Sequence, residues 1–263
     1  MIQSILIIFL FGCFGTVTNA ELCTDCAKFI LETEYKPKDW PVLEPRPKVV
    51  GGPRTITKDD GKTLQQWDIE HGGFRYKACL DYEIKDKVPV ENLLSWLAPV
   101  PILYRKGFEI VSEEGKNGVE FLWNIGGGGY GWEGYLLMNL GHDLNALDAS
   151  INRKDENQFM GILTHEIGHV FNGRWGPGEN KAGSTHEKAI AQWKEARSAD
   201  PHPVSPYGNS NPYEDMAEYS NVYAYAKYMH GDNTEALKRL REITPNRFVL
   251  WEKILNSCRK CPP

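Results

Sequence analysis

The 263-residue chain lacks an excess of basic residues, because 30 Lys and Arg stand against 35 Asp and Glu, for a formal net charge of −5. Proteins that bind nucleic acid or anionic membranes through charge carry a basic surface, so this balance argues against both kinds of partner. The chain also lacks Asn-x-Ser/Thr acceptors for N-glycosylation and internal repeats. With 41% hydrophobic residues, the composition is that of an ordinary globular protein.

Long apolar runs are absent except at the N-terminus, where residues 4–12 form one such run. The run and the small residues after it predict a secretory signal peptide over residues 1–20, cut after Ala20. Two alternatives stay open. One is a membrane anchor, although a spanning helix needs about 20 apolar residues, and the other is a lipid anchor at Cys13. We expect a secreted mature protein without a membrane span.

Cysteines are few, and five of the six would remain after signal cleavage. Cys23-x-x-Cys26 begins the mature chain and Cys258-x-x-Cys261 ends it. In an oxidising compartment these pairs predict two disulfides that join the chain ends. A four-cysteine zinc site is the alternative. Cys79 is left over, either as a buried thiol or as a partner that exchanges into one of the pairs.

The region over residues 21–89 contains no pattern that indicates a chemistry. Residues 21–35 have helical spacing, and the proline-rich stretch over 37–53 predicts an extended wrapping segment or linker. Alternating polarity predicts strands at Gln65–Ile69 and Phe74–Ala78. We therefore treat residues 21–89 as an N-terminal extension of unknown role.

Secondary-structure signals become clearer after Pro89. Val90–Leu97 has helical spacing, and a long helix is predicted to begin at Asp155 or Glu156. Between these helices the sequence predicts three strands, at Ile102–Tyr104, Val119–Trp123 and Tyr135–Leu140.

Two segments in this region bear on ligand binding. The glycine run Gly126–Gly131 predicts a flexible loop, and the alternative is a flap that closes on substrate. If Tyr135–Leu140 is an edge strand, its free backbone groups could pair with an extended peptide.

The motif His165-Glu166-x-x-His169 lies within the predicted long helix. Residues four apart share one helix face, so both imidazoles can reach a single Zn²⁺. Glu166 is rotated by about 100° from His165. It can therefore act as a base toward water at the metal without binding the metal itself. The alternative is a surface helix that carries this pattern by chance.

A catalytic zinc site needs a third protein ligand. The metzincin pattern would place a histidine where Trp175 stands and a glycine where Asn172 stands, so this pattern is absent. The later Asn-Glu-x-x-Ser-Asp pattern of thermolysin is absent too.

A second helix supplies candidate carboxylates. Asn211 followed by Pro212 predicts a helix start, and Glu214 and Glu218 then share one face. Glu214 can bind the metal while Glu218 accepts the free N–H of a metal-binding histidine. The alternative is that Glu214 completes a capping box with Asn211 and needs no metal. Asp215 points elsewhere and is the weaker candidate.

The segment from Tyr207 to Glu218 has Tyr-Gly, a short gap, Asn and then Glu-x-x-Ala-Glu. Together with His-Glu-Ile-Gly-His at 165–169, it resembles the anthrax toxin lethal factor-like metallopeptidases, a group that includes the clostridial Pro-Pro endopeptidases. The likeness covers about residues 90–255.

This resemblance implies an α+β, zincin-like fold over residues 90–257, followed by a Cys-containing tail over 258–263. A small mixed sheet with the active-site helix would precede a mainly helical C-terminal subdomain. The implied activity is that of a zinc-dependent endopeptidase that acts on a protein or peptide substrate. The implied site consists of His165, His169 and Glu214 as Zn²⁺ ligands, Glu218 as their hydrogen-bonding companion, Glu166 as general base and Tyr207 as hydrogen-bond donor to the oxyanion.

Two other functions remain open. The chain could be a catalytically inactive zincin scaffold that serves as a binding or toxin-like protein. It could also be a disulfide-stapled surface antigen in which His165 and His169 are structural. Zinc content and peptide cleavage separate the three.

Overall fold

A computed structural model describes residues 40–114, 117–123, 129–132, 134–140, 156–172, 185–200, 202–229 and 234–257. The predicted signal peptide, the helix predicted over 21–35 and both Cys-x-x-Cys pairs lie outside these residues.

Six strands in the described part of the chain form one mixed sheet in the order β1-β2-β3-β4-β6-β5. Strand β3 runs parallel to β4 and β4 parallel to β6, whereas the other neighbours are antiparallel. The strands are β1 (Lys48–Thr57), β2 (Thr63–His71), β3 (Phe74–Asp81), β4 (Val119–Leu122), β5 (Gly129–Trp132) and β6 (Tyr135–Asn139).

Seven α-helices occur among the described residues, so the α+β class is confirmed. None of the helices in these ranges is long and apolar enough to cross a membrane. The helices are α1 (Val90–Leu97), α2 (Arg105–Glu114), α3 (Glu156–Asn172), α4 (Thr185–Ala199), α5 (Pro212–Ala224), α6 (Thr234–Ile243) and α7 (Pro245–Ser257).

Several predicted elements are confirmed, and one predicted strand is wrong. Strands β2, β3, β4 and β6 and helices α1 and α3 lie where the patterns placed them. The strand predicted at Ile102–Tyr104 is instead a turn, in which the amides of Tyr104 and Arg105 donate to the carbonyl of Pro101 at 2.9 and 3.3 Å and lead into α2. Three apolar residues are too few for the period of a strand to be distinguished.

The proline-rich stretch does not end as a linker, because its last residues belong to β1. Among the described residues this strand pairs with β2 alone, and it carries Pro53. A sheet tolerates proline at such an edge, where no ladder hydrogen bond is lost. Because β1 to β3 and β4 to β6 share one sheet, the sheet crosses the boundary predicted at residues 89 and 90.

The strand predicted at Tyr135–Leu140 is present as β6, but the condition that it lies at an edge of the sheet is not met. Strand β6 lies inside the sheet, between β4 and β5. The edge is β5, which begins at Gly129 and so takes up the end of the predicted glycine loop. Residues 126–128 of that loop lie outside the described ranges.

Helix α3 lies against both β5 and α5. Its apolar side chains Leu163, Ile167 and Val170 are fully buried. At Gly168, a Cβ atom would lie 2.7 Å from Cα of Ala217, which is closer than real Cβ contacts. Glycine therefore allows α3 and α5 to approach each other closely, directly beside the histidines.

Cys79 is a buried free thiol on β3. Its Sγ donates to the carbonyl of Asn117 at 3.0 Å and accepts from Nε2 of Gln66 at 3.4 Å. Burial raises the pKa of this thiol to about 12. The thiolate required for disulfide exchange is therefore scarce at neutral pH.

Candidate metal centre

Helix α3 presents His165 and His169 on one face, as expected for residues four apart. Their ring centroids are 4.9 Å apart and the ring planes are nearly perpendicular, at 84°. Because the opposite face of α3 is buried, the backbone that carries both imidazoles is held by packing.

Helix α5 brings Glu214 to these imidazoles. The helix begins as predicted, since Oδ1 of Asn211 accepts from the amides of Tyr213 and Glu214 at 3.0 Å each. Oε2 of Glu214 lies 3.4 Å from Nε2 of His165 and 3.2 Å from Nε2 of His169. The carboxylate thus faces the two histidines.

The three candidate ligand atoms all lie within 4.8 Å of one another. Two ligand atoms that each lie 2.0–2.1 Å from a tetrahedral Zn²⁺ are separated by about 3.3–3.4 Å. Both carboxylate–imidazole separations are close to this value. Two imidazole nitrogens and one carboxylate oxygen also form a donor set that suits Zn²⁺, so the residues present fit this ion.

Glu218 orients His165. Its Oε1 lies 2.8 Å from Nδ1 of His165, and Oγ of Ser205 donates to its Oε2 at 2.7 Å. Burial opposes ionisation of Glu218, but the hydrogen bonds and charge around it outweigh burial and lower its pKa. An ionised Glu218 keeps the imidazole proton on Nδ1, which leaves the Nε2 lone pair free for a metal.

Glu166 lies beneath the edge strand. It is 8% exposed, and its Cγ lies 2.9 Å from the position that a Cβ at Gly129 would occupy. A Cβ at Gly131 would lie 2.1 Å from the carbonyl oxygen of Glu166. Glycine at both positions therefore lets β5 rest directly on α3 at the residue predicted to be the base.

Tyr207 lies at the solvent-facing side of the cluster. The residue is 39% exposed, and its ring is 6.0 Å from the His165 ring at an interplanar angle of 30°. It immediately precedes the short 3₁₀ turn Gly208–Ser210. Tyr207 is thus close to the candidate ligands, and a role as oxyanion donor stays a prediction.

Asp215 points away from the histidines, as the sequence indicated. Its carboxylate accepts from Nη1 of Arg247 at 2.7 Å and from Nε1 of Trp193 at 2.9 Å. Asp200 also binds Arg247, through Nε at 2.9 Å. Burial alone would lower the pKa of Arg247, but the two carboxylates raise it and keep the guanidinium charged. Asp215 therefore attaches α5 to α7.

Sequence reasoning missed Ser205 and Arg247. Both act through partners more than ten residues away in the chain. A buried serine in a loop has no periodicity, and one arginine among 30 basic residues carries no signal of burial. Only the three-dimensional arrangement reveals these contacts.

Comparison with known proteins gives no match, whether with protein-family models, with curated proteins or with solved structures.

Proposed function

We propose that the protein is a zinc-dependent endopeptidase with a zincin-like fold, similar to the anthrax toxin lethal factor-like metallopeptidases. The observation that carries this proposal is the convergence of Glu214 from α5 on His165 and His169 from α3, at separations that suit tetrahedral zinc. The His-Glu-x-x-His motif and the Tyr-to-Glu segment support the same function from the sequence.

The protein's own residues divide the chemistry among them. His165, His169 and Glu214 would hold Zn²⁺, which supplies a Lewis acid that makes water a stronger nucleophile at neutral pH. Glu166 would accept the proton of the attacking water and deliver it to the leaving amine. Tyr207 would donate a hydrogen bond to the oxygen of the scissile carbonyl as negative charge develops there.

A protein or peptide substrate fits the environment of the site. Within the described ranges, β5 pairs with β6 alone, and it lies directly against Glu166. An extended peptide can add to such an edge through main-chain hydrogen bonds, which would place one of its peptide bonds beside the base. Secretion, inferred from the predicted signal peptide, agrees with an extracellular protein substrate.

The substitution Glu166→Gln tests this function. It removes the base but retains the shape of the side chain, so we expect cleavage to fall by about 10²–10⁴-fold. Zinc content should remain at the wild-type level. The measurement uses a diverse peptide library, with and without a chelator, with zinc quantified in the same samples. Glu113→Gln on the exposed end of α2 is the matched control.

Three results would point elsewhere. A Glu166→Gln variant that cleaves at the wild-type rate would exclude Glu166 as the base. Near-stoichiometric zinc without cleavage of any peptide would favour an inactive scaffold. Absence of bound zinc would favour the disulfide-stapled surface protein.

A further inference from the structure

Ser205 lies between the candidate metal centre and the turn that carries Tyr207. The residue is 2% exposed and uses its hydroxyl twice. Its Oγ donates to Oε2 of Glu218 at 2.7 Å and accepts from the amide of Gly208 at 2.9 Å. A hydroxyl has one proton to donate, and here that proton goes to the carboxylate, while the amide of Gly208 fills an acceptor position.

These bonds extend a continuous series that begins at a candidate metal ligand. Nδ1 of His165 pairs with Glu218 at 2.8 Å, Glu218 accepts from Ser205, and Ser205 accepts from Gly208. Gly208 directly follows Tyr207 in the chain. The position of the tyrosine backbone is thus connected to the carboxylate that orients a histidine.

The turn that carries Tyr207 is held by hydrogen bonds within its own backbone and by one hydrogen bond from α4. The amide of Asn209 donates to the carbonyl of Ser205 at 3.0 Å, and the amide of Ser210 donates to that of Tyr207 at 3.0 Å. From α4, Nη2 of Arg197 donates to the carbonyl of Asn209 at 2.9 Å. Tyr207 is 39% exposed, and these bonds hold the backbone from which its side chain extends.

We infer that Ser205 is a positioning residue that fixes the orientation of Glu218 and the placement of Tyr207 together. This inference rests on the proposed function for the role of Tyr207, but not for the link to the metal ligands. Ser205 touches neither substrate nor metal. It acts on zinc binding through Glu218 and His165, and on transition-state stabilisation through the turn.

The first test is zinc affinity, measured by competition with a chromogenic chelator. Loss of an outer hydrogen-bond partner typically weakens metal binding by about 10–100-fold, and we expect Ser205→Ala to raise the zinc dissociation constant within this range. Ser198→Ala is the matched control, because Ser198 is exposed and its hydroxyl donates within α4 to Lys194. An unchanged dissociation constant for Ser205→Ala would overturn the link to Glu218.

The second test is a double-mutant cycle on kcat at saturating zinc, with Ser205→Ala and Tyr207→Phe. Removing an oxyanion donor costs about 10²–10³-fold, and we expect this loss to appear in kcat. If Ser205 acts by placing Tyr207, then Ser205→Ala lowers kcat in the wild-type background and has a smaller effect when Tyr207→Phe is already present. Losses that multiply fully would overturn the placement of Tyr207 by Ser205.

A third measurement needs no variant and no catalysis, so it stands even if Ser205→Ala does not fold. Zinc should slow hydrogen exchange at the Gly208 amide, because binding stabilises the His165 end of the same series of bonds. The Val100 amide, which donates to Leu97 in another turn, is the reference. Equal effects of zinc at both amides would contradict the inference. If zinc binding and exchange follow the expectation but no peptide is cleaved, the proposed function fails and the link stands.

Discussion

Glu214 and Asp215 are consecutive buried carboxylates on α5, yet they have opposite surroundings. Asp215 faces Arg247, which neutralises its charge within the protein. Glu214 faces two imidazoles. A buried carboxylate needs a compensating positive charge. The surroundings of Asp215 and Glu214 indicate a different source of this charge for each residue. For Asp215 the source is a side chain, and for Glu214 we propose a metal ion.

Helix α5 therefore has two roles: one side contributes residues to the candidate metal centre, and another side fixes the helix to the rest of the protein. The side of α5 that carries Asp215 is tied to α7 and α4 through Arg247 and Trp193. The side that carries Glu214 and Glu218 faces α3. We refer to these as the anchor side and the metal side. Removing anchor-side contacts should affect folding, whereas removing metal-side contacts should affect zinc binding.

The largest expected effect on stability is that of Arg247→Leu, which breaks the anchor side. It removes the guanidinium that the buried carboxylates of Asp200 and Asp215 share, and leaves Asp215 with the more distant Arg197, whose Nε lies 3.9 Å away. Breaking a buried ion pair in this way costs about 3–5 kcal/mol, and we expect a loss of that size in the free energy of unfolding of the metal-free protein. Urea denaturation measures it.

The matched control is Arg239→Leu on α6. Arg239 pairs with Glu242 at 3.5 Å, and both side chains are about half exposed. Such surface pairs contribute about 0–1 kcal/mol, so this variant should unfold close to the wild-type midpoint. If Arg247→Leu were no less stable than Arg239→Leu, the anchor role of Asp215 and Arg247 would be excluded.

Gly131→Ala is expected to have a smaller effect on stability than Arg247→Leu. It tests whether the close contact with β5 holds α3 in place, in the way that the buried ion pair holds α5. The added methyl group would meet the carbonyl oxygen of Glu166 at 2.1 Å, so the strand or the helix must shift. Overpacking of this kind costs about 1–3 kcal/mol. We also expect lower kcat, since the base moves with α3.

Gly161→Ala on α3 is the control for this substitution. A Cβ there would lie 3.6 Å from the nearest atom, which belongs to Asn221, so it fits without displacement. Alanine is also the better helix former, and the variant should be at least as stable as the wild type. Equal stability of the Gly131→Ala and Gly161→Ala variants would contradict the close contact between β5 and α3.

The smallest effect concerns an ion pair at the far edge of the sheet, Asp68 with Arg54. The hydrogen bond from Arg54 lowers the pKa of Asp68 in the folded state. The stabilisation is therefore present above the ordinary pKa of the carboxyl and is lost as pH falls through the lowered value. Both side chains are about 40% exposed. We expect Asp68→Asn to cost less than about 1 kcal/mol at pH 7 and nothing in strong acid.

Denaturation of Asp68→Asn at pH 7 and at about pH 2 measures this difference. If Asp68→Asn lowered the free energy of unfolding at pH 7 as much as Arg247→Leu does, burial would not explain the difference expected between the two ion pairs.

Local signals in the sequence were sufficient for the helices of the site. The spacing of His165 and His169 placed them on one face of α3, and Asn211 followed by Pro212 correctly marked the start of α5. Each of these features depends on residues within one or two helical turns. Local physical chemistry therefore decides them.

Contacts between distant segments decided the rest. Strand β5 consists of Gly129–Trp132, and only its pairing with β6 and its contact with α3 distinguish it from a loop. Strand β1 was not predicted because it contains Pro53, which a sheet tolerates at an edge or at a register shift such as the one between Gly51 and Arg54. Ser205 and Arg247 gain their roles from partners that no spacing rule connects to them.

The most direct test of the account is the zinc affinity of Glu214→Gln beside that of Glu113→Gln, an exposed control on α2. We predict that the control binds one zinc per chain as the wild type does. Loss of a hydrogen-bond partner of a metal ligand typically weakens metal binding by about 10–100-fold. Glu214→Gln should weaken zinc binding by more than this, because it removes a direct ligand. Equal zinc binding by both variants would contradict the claim that α3 and α5 together form the metal centre.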